Sequence, residues 1–87
     1  MFTTSRYASE NSKLLAQILS KNFNSFYVSR GKKSISQLSF LARNVGETRI
    51  VLIKENKDHM PVFLEIISID ELGKWEYIEE KIGFSYE

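Results

Sequence analysis

Two amphipathic helical segments, each opened by a serine cap, are inserted in turn between strand-like stretches, and this alternation most constrains the fold. Phe2–Arg6 reads as a short strand, after which Ser9 caps a helix whose Leu14, Leu15, Ile18 and Leu19 recur at helical spacing. Phe26-Tyr27-Val28 reads as a second strand. Ser34 and Gln37 then form a capping-box pair ahead of one apolar stripe, Ile35, Leu38, Leu41, Ala42 and Val45. Gly46 is placed to end that helix in a left-handed conformation. Ile50-Val51-Leu52-Ile53 is a continuous apolar run, as in a strand covered on both faces. A polar turn from Glu55 to His59 follows, and Pro61 opens another strand through Val62, Phe63, Leu64, Ile66 and Ile67. In the tail, Trp75, Tyr77 and Ile78, then Phe84 and Tyr86, allow one or two further strands, with a short helix near 75–82 as the alternative.

The result is an α/β chain with a small mixed sheet in β-α-β-α-β-β order. Two successive strand–helix–strand crossovers make the first three strands parallel, with right-handed connections. Every strand-to-helix loop then leaves the sheet at one edge. Arg6, Arg30, Lys32 and Lys33 should gather there, joined by Lys54 and Lys57, while Arg49 enters its strand at the opposite edge. In open sheets the carboxyl ends of the strands are where ligands bind.

Eighty-seven residues supply one modest core, so positions 1–87 are read as a single domain. No apolar run approaches the roughly 18 residues that span a bilayer, and Met1–Arg6 lacks the pattern of a signal peptide. The reading is a cytoplasmic protein with no membrane partner. With no cysteine, disulfides, thiolate metal sites and cysteine nucleophiles are excluded. The formal charge of +1 conceals a split: residues 1–49 carry eight cations against two anions, and residues 50–87 four against nine. A basic face and an acidic face are expected.

The loop Ser29-Arg30-Gly31-Lys32-Lys33-Ser34 sets three cations around a glycine at a helix start, where free backbone N–H groups and the helix dipole favour a phosphate. Arg30 offers a forked donor and the lysines act as point charges. A nucleotide-binding P-loop is not matched, because it needs glycine where Phe26 stands and Ser or Thr where Lys33 stands. In the first loop, Thr4, Ser5 and Ser9 add hydroxyls beside Arg6, a mixture suited to sugar and phosphate oxygens. His59 is the sole histidine and has only Asp58 beside it, so no metal site is read. No serine pairs with a base and an orienting acid, so no catalytic residue, enzyme activity or cofactor is expected.

Thr4-Ser5-Arg6-Tyr7-Ala8-Ser9-Glu10-Asn11 and Tyr27-Val28-Ser29-Arg30-Gly31-Lys32-Lys33-Ser34 together resemble the opening of a Brix domain, archaeal members above all. The resemblance continues through Arg49–Ile53, Phe63–Ile66 and Trp75. It implies an RNA-binding fold similar to the anticodon-binding domain of some aminoacyl-tRNA synthetases, with a role in ribosomal RNA processing or ribosome assembly. A complete Brix domain is two similar halves in one chain, and this sequence resembles the first. Pairing of two copies would restore the pseudo-symmetric arrangement, with Trp75, Tyr77, Phe84 and Tyr86 as candidate interface residues.

The sequence thus predicts a non-catalytic RNA-binding protein. Ser5, Arg6, Arg30, Gly31, Lys32, Lys33 and Ser34 form the RNA site, and ribosomal RNA, a second copy and ribosome-assembly proteins are the candidate partners. The alternative is a protein-interaction or assembly module that self-associates or docks on a ribosome-biogenesis partner through its divided charge.

Overall fold

The computed structural model describes residues 1–83, and at positions 62 and 79–82 the backbone alone. The elements are β1 (Phe2–Thr4), α1 (Glu10–Asn22), α2 (Ile35–Asn44), β2 (Arg49–Glu55), β3 (Pro61–Ile69) and β4 (Trp75–Gly83). They build one sheet in the order β1-β2-β3-β4, with β1 parallel to β2 and the later pairs antiparallel. The α/β class and the mixed sheet agree with the sequence reading. The tail from Trp75 is a strand, not a helix. Phe84 and Tyr86 lie outside the described residues.

The strand expected at Phe26–Val28 contracts to a single parallel bridge, Tyr27 beside Phe2. Phe2 N–H donates to Phe26 O at 2.7 Å and Val28 N–H to Phe2 O at 3.0 Å. The ladder does not continue: Thr4 O, the next acceptor along β1, takes the Arg30 guanidinium at 3.2 Å. The direction of the chain is nonetheless as expected. From β1 it steps outward to the Tyr27 bridge, then returns across β1 to β2.

Those two steps run in opposite directions. If both crossovers are right-handed, their helices must cover opposite faces of the sheet. The core divides accordingly. Leu38 and Ala42 of α2 pack with Met1, Ile50, Leu52, Ile67 and Ile69 on one face. Ala16 of α1, with Leu15 and Leu19, packs on Phe2, Val51, Ile53 and Leu64 on the other. Alternate residues of β2 thereby enter different cores, which is why its apolar run is unbroken.

Both helix starts form as their sequences require. Ser9 accepts from Ser12 N–H at 3.4 Å, and Ser34 exchanges bonds of 3.2 and 2.8 Å with Gln37 in a complete capping box. Gly46, at φ +77°, follows the end of α2. The buried face of α1 differs from its expected leucine stripe. Ser12, Ala16 and Ser20 are buried, whereas Leu14 and Ile18 stand about half exposed. Small residues at four-residue spacing let the helix lie close to the sheet, with Leu15 and Leu19 filling the flanks. In α2 the expected stripe holds except at Val45, which is an exposed C-cap.

Candidate nucleic-acid interface

Because α1 and α2 leave adjacent parallel segments toward opposite faces, the loops that start them diverge. A crevice opens between them at the carboxyl end of β1, the place where open α/β sheets hold ligands. The crevice is a cleft of about 300 Å³ lined by Thr4, Ser5, Tyr7, Ala8 and Lys13 on one side and Ser29, Arg30, Gly31 and Lys32 on the other. Among the described residues no carboxylate lines it.

Each loop is tied to the other by an arginine. Arg30 donates from Nε to Lys33 O at 2.9 Å and from Nη1 to Thr4 O at 3.2 Å, closing its own turn and reaching across to β1. Arg6 answers from the first loop, its Nη2 lying 3.3 Å from Lys32 O and 3.5 Å from Lys33 O. These bonds use only part of each five-donor guanidinium, so both can still face a ligand. Partial burial and the charge of nearby Arg6 lower the Arg30 pKa, while Tyr77 acts in the opposite direction. Arginine stays charged at neutral pH regardless. An anion placed between the two guanidiniums would relieve their repulsion.

Gly31 permits the tight turn. Its φ is +50°, a conformation that side chains disfavour, and Lys33 N–H closes the turn on Arg30 O at 3.1 Å. The turn also separates its two lysines. Lys32 lines the cleft and is exposed, whereas Lys33 donates to Ser29 O at 3.0 Å and borders a separate hollow with Ser36, Gln37, Phe40 and Leu41. Ser34 is engaged in the capping box and does not line the cleft.

Of the seven residues singled out from sequence, Ser5, Arg30, Gly31 and Lys32 therefore line one cleft. Arg6 joins its two walls, and Lys33 and Ser34 sit behind it. Lys13 and Tyr7 are the additions. Lys13 lies in the first turns of α1, four residues beyond its cap, and pairs with exposed Glu10 at 3.4 Å. That spacing was the signal available, since it turns a side chain back toward the loop that precedes the helix. Lys54 pairs with Glu65 at 3.8 Å, and Arg43 donates to Glu71 O at 3.3 Å.

The start of α1 is occupied by the protein's own carboxylate. Glu55, at the end of β2, accepts from Ser9 N–H at 3.0 Å and from the Ser9 and Ser12 hydroxyls, with its side chain 7% exposed. His59, a solvent-facing imidazole, places Nδ1 3.6 Å from the other carboxylate oxygen. A helix N-terminus that would otherwise attract an external anion is filled from within the fold.

No family model matches the chain, and no curated protein matches it. Solved structures do. A probable ribosomal biogenesis protein from Aeropyrum pernix K1 superposes with a TM-score of 0.80 at 26% identity, over 88% of this chain and 43% of that one. Mil, an archaeal Imp4-like protein, superposes with a TM-score of 0.68 at 27% identity, over 85% of this chain and 45% of that one. The chain is thus similar to part of each and spans less than half their length. Such likeness is what the half-length Brix resemblance implies.

Proposed function

We propose that this chain is a non-catalytic RNA-binding protein acting in ribosomal RNA processing or ribosome assembly, a cytoplasmic, half-length Brix-like unit over residues 1–87. One observation carries the reading: Lys13, Arg30 and Lys32, from a helix start and a loop, converge on a single cleft that no described carboxylate lines, and Arg6 bridges its two walls. The hydroxyls of Thr4, Ser5 and Ser29 stand among them, suited to phosphate and ribose oxygens. The ribosomal-biogenesis relative supports the process, and the cleft's charge supports the ligand. Binding is electrostatic and loosely sequence-dependent. With about four phosphates neutralised, log K should fall against log salt with a slope near −3 on a single strand. A gel-shift titration at two salt concentrations tests this, and salt-insensitive or absent binding refutes it.

The same reading includes a homodimer. On the α1 side of the sheet, Phe2, Leu19, Phe23, Val51, Leu64 and Ile66 border an apolar hollow of about 310 Å³, and Phe23 is 70% exposed. The occupant we propose is a second copy, because the similar proteins have room in one chain for two units of this size. Of the aromatics expected at the interface, Trp75 is partly engaged within the chain. Its indole N–H donates to Ser36 Oγ at 3.4 Å, and its ring meets Tyr77 edge-on at 5.8 Å. Light scattering should give a dimer mass that Phe23→Glu converts to monomer. A monomer at high micromolar concentration overturns this part alone.

A further inference from the structure

Tyr7 is the most exposed large apolar side chain among the described residues, at 87%. It also sits at φ +59°, in the left-handed region. The other non-glycine residues there are Asn24 and His59, types that tolerate this conformation. A bulky aromatic does not, and nothing in packing rewards it when the ring is solvated. A residue held in a disfavoured backbone state without burial points to a use for its side chain. Its position supplies the use, since Tyr7 lines the same cleft as Lys13, Arg30 and Lys32.

We propose that Tyr7 is a stacking platform for an unpaired nucleobase, so that the cleft takes single-stranded RNA, with backbone phosphates on the cations and one base on the ring. This rests on the RNA-binding reading and narrows it. In a duplex the base faces are already stacked and cannot reach an isolated tyrosine, whereas an unpaired base can lie flat on it. The phenol ring accepts any base, consistent with an otherwise backbone-directed site.

The test uses the whole chain with two probes, a short oligouridylate and inorganic polyphosphate, which carries the charge without bases. Tyr7→Ala should weaken oligouridylate roughly tenfold, as loss of one base–aromatic stack does, without altering the salt slope. Polyphosphate affinity should not move, and Tyr7→Phe should retain oligouridylate binding. Tyr7→Asn suits the left-handed backbone, so its melting temperature should not fall although its RNA affinity does. Tyr7→Trp in a Trp75→Phe background carries a single indole, whose emission should be quenched by oligouridylate and not by polyphosphate. Equal losses with both probes, or no loss with either, overturn the stacking role while leaving the basic cleft intact. If the unaltered chain binds neither probe, the RNA-binding reading falls and this inference with it.

Discussion

Replacing Lys13 and Lys32 together by glutamate is expected to reduce RNA affinity at least a hundredfold at low salt. It should also flatten the salt dependence by about 1.4 in log–log slope, since each phosphate contact on a single strand contributes roughly 0.7. Both side chains line the cleft, one from each wall. Neither change should harm the fold. Lys32 is solvent-facing in its turn, and at position 13, in the first turns of α1, the favourable helix dipole offsets loss of the exposed pair with Glu10. Circular dichroism and the melting temperature should therefore stay near those of the unaltered chain. The sharper comparison is with Lys33→Glu. This charge change, one residue along, lies behind the cleft beside the hollow of Phe40 and Leu41, and should cost only a fewfold through long-range potential. If Lys33→Glu is as damaging as Lys32→Glu, the RNA path runs over the turn and not through the crevice.

That comparison marks where the chain could be read from its residues and where it could not. The caps at Ser9 and Ser34, the stop at Gly46 and the doubly covered β2 are local signals, and each is met by the fold. The gathering of Arg6 with the Arg30–Lys33 loop follows from topology, because parallel crossovers admit one edge only for both loops. Side-chain direction within a tight turn is a different matter. Lys32 and Lys33 are chemically alike and adjacent, and only the conformation set by Gly31 sends them apart. The Phe26–Val28 strand was over-read because β propensity says nothing of whether the partner's backbone groups stay free to pair, and Thr4 O is taken by Arg30. Half of the α1 stripe, Leu14 and Ile18, was misplaced for a related reason. Serine at Ser12 and Ser20 looks solvent-facing by composition, yet close helix–sheet approach selects small side chains and leaves Leu14 and Ile18 outside.

The least legible feature is Glu55, and it gives the largest expected effect on stability. Glu55→Ala should destabilise the fold by about 3 kcal/mol, because Ser9 N–H and the Ser12 hydroxyl, grouped around one carboxylate, lose their acceptor and the Ser9 hydroxyl keeps His59 O alone. An 87-residue domain has only roughly 4–13 kcal/mol to lose. The melting temperature should drop on the order of 15 °C. Burial pushes the Glu55 carboxyl up, but bonds from Ser12, Ser9 and His59 outweigh it and hold the pKa below the ordinary glutamate range. A folded-state pKa below the unfolded one gives stability that is fully present above about pH 4.3 and lost as pH falls through the folded value. Glu47 adds to the same acid limb, its carboxyl lowered by the Ser25 hydroxyl against burial and by the Met1 ammonium 3.5 Å away. Glu55→Gln separates the two effects. Its amide oxygen can replace the accepting carboxylate oxygen, so the loss at pH 7 should be nearer 1 kcal/mol, and the acid limb should become shallower, with Glu47 still contributing. Urea unfolding of the three proteins at pH 7 and about pH 4 reads both quantities. An acid limb unchanged in Glu55→Gln would mean that this carboxylate does not anchor α1. The cleft would then have lost the strut that fixes one of its walls, since the segment Glu55 holds, Ser9 with the first turn of α1, carries Lys13 and begins two residues after Tyr7.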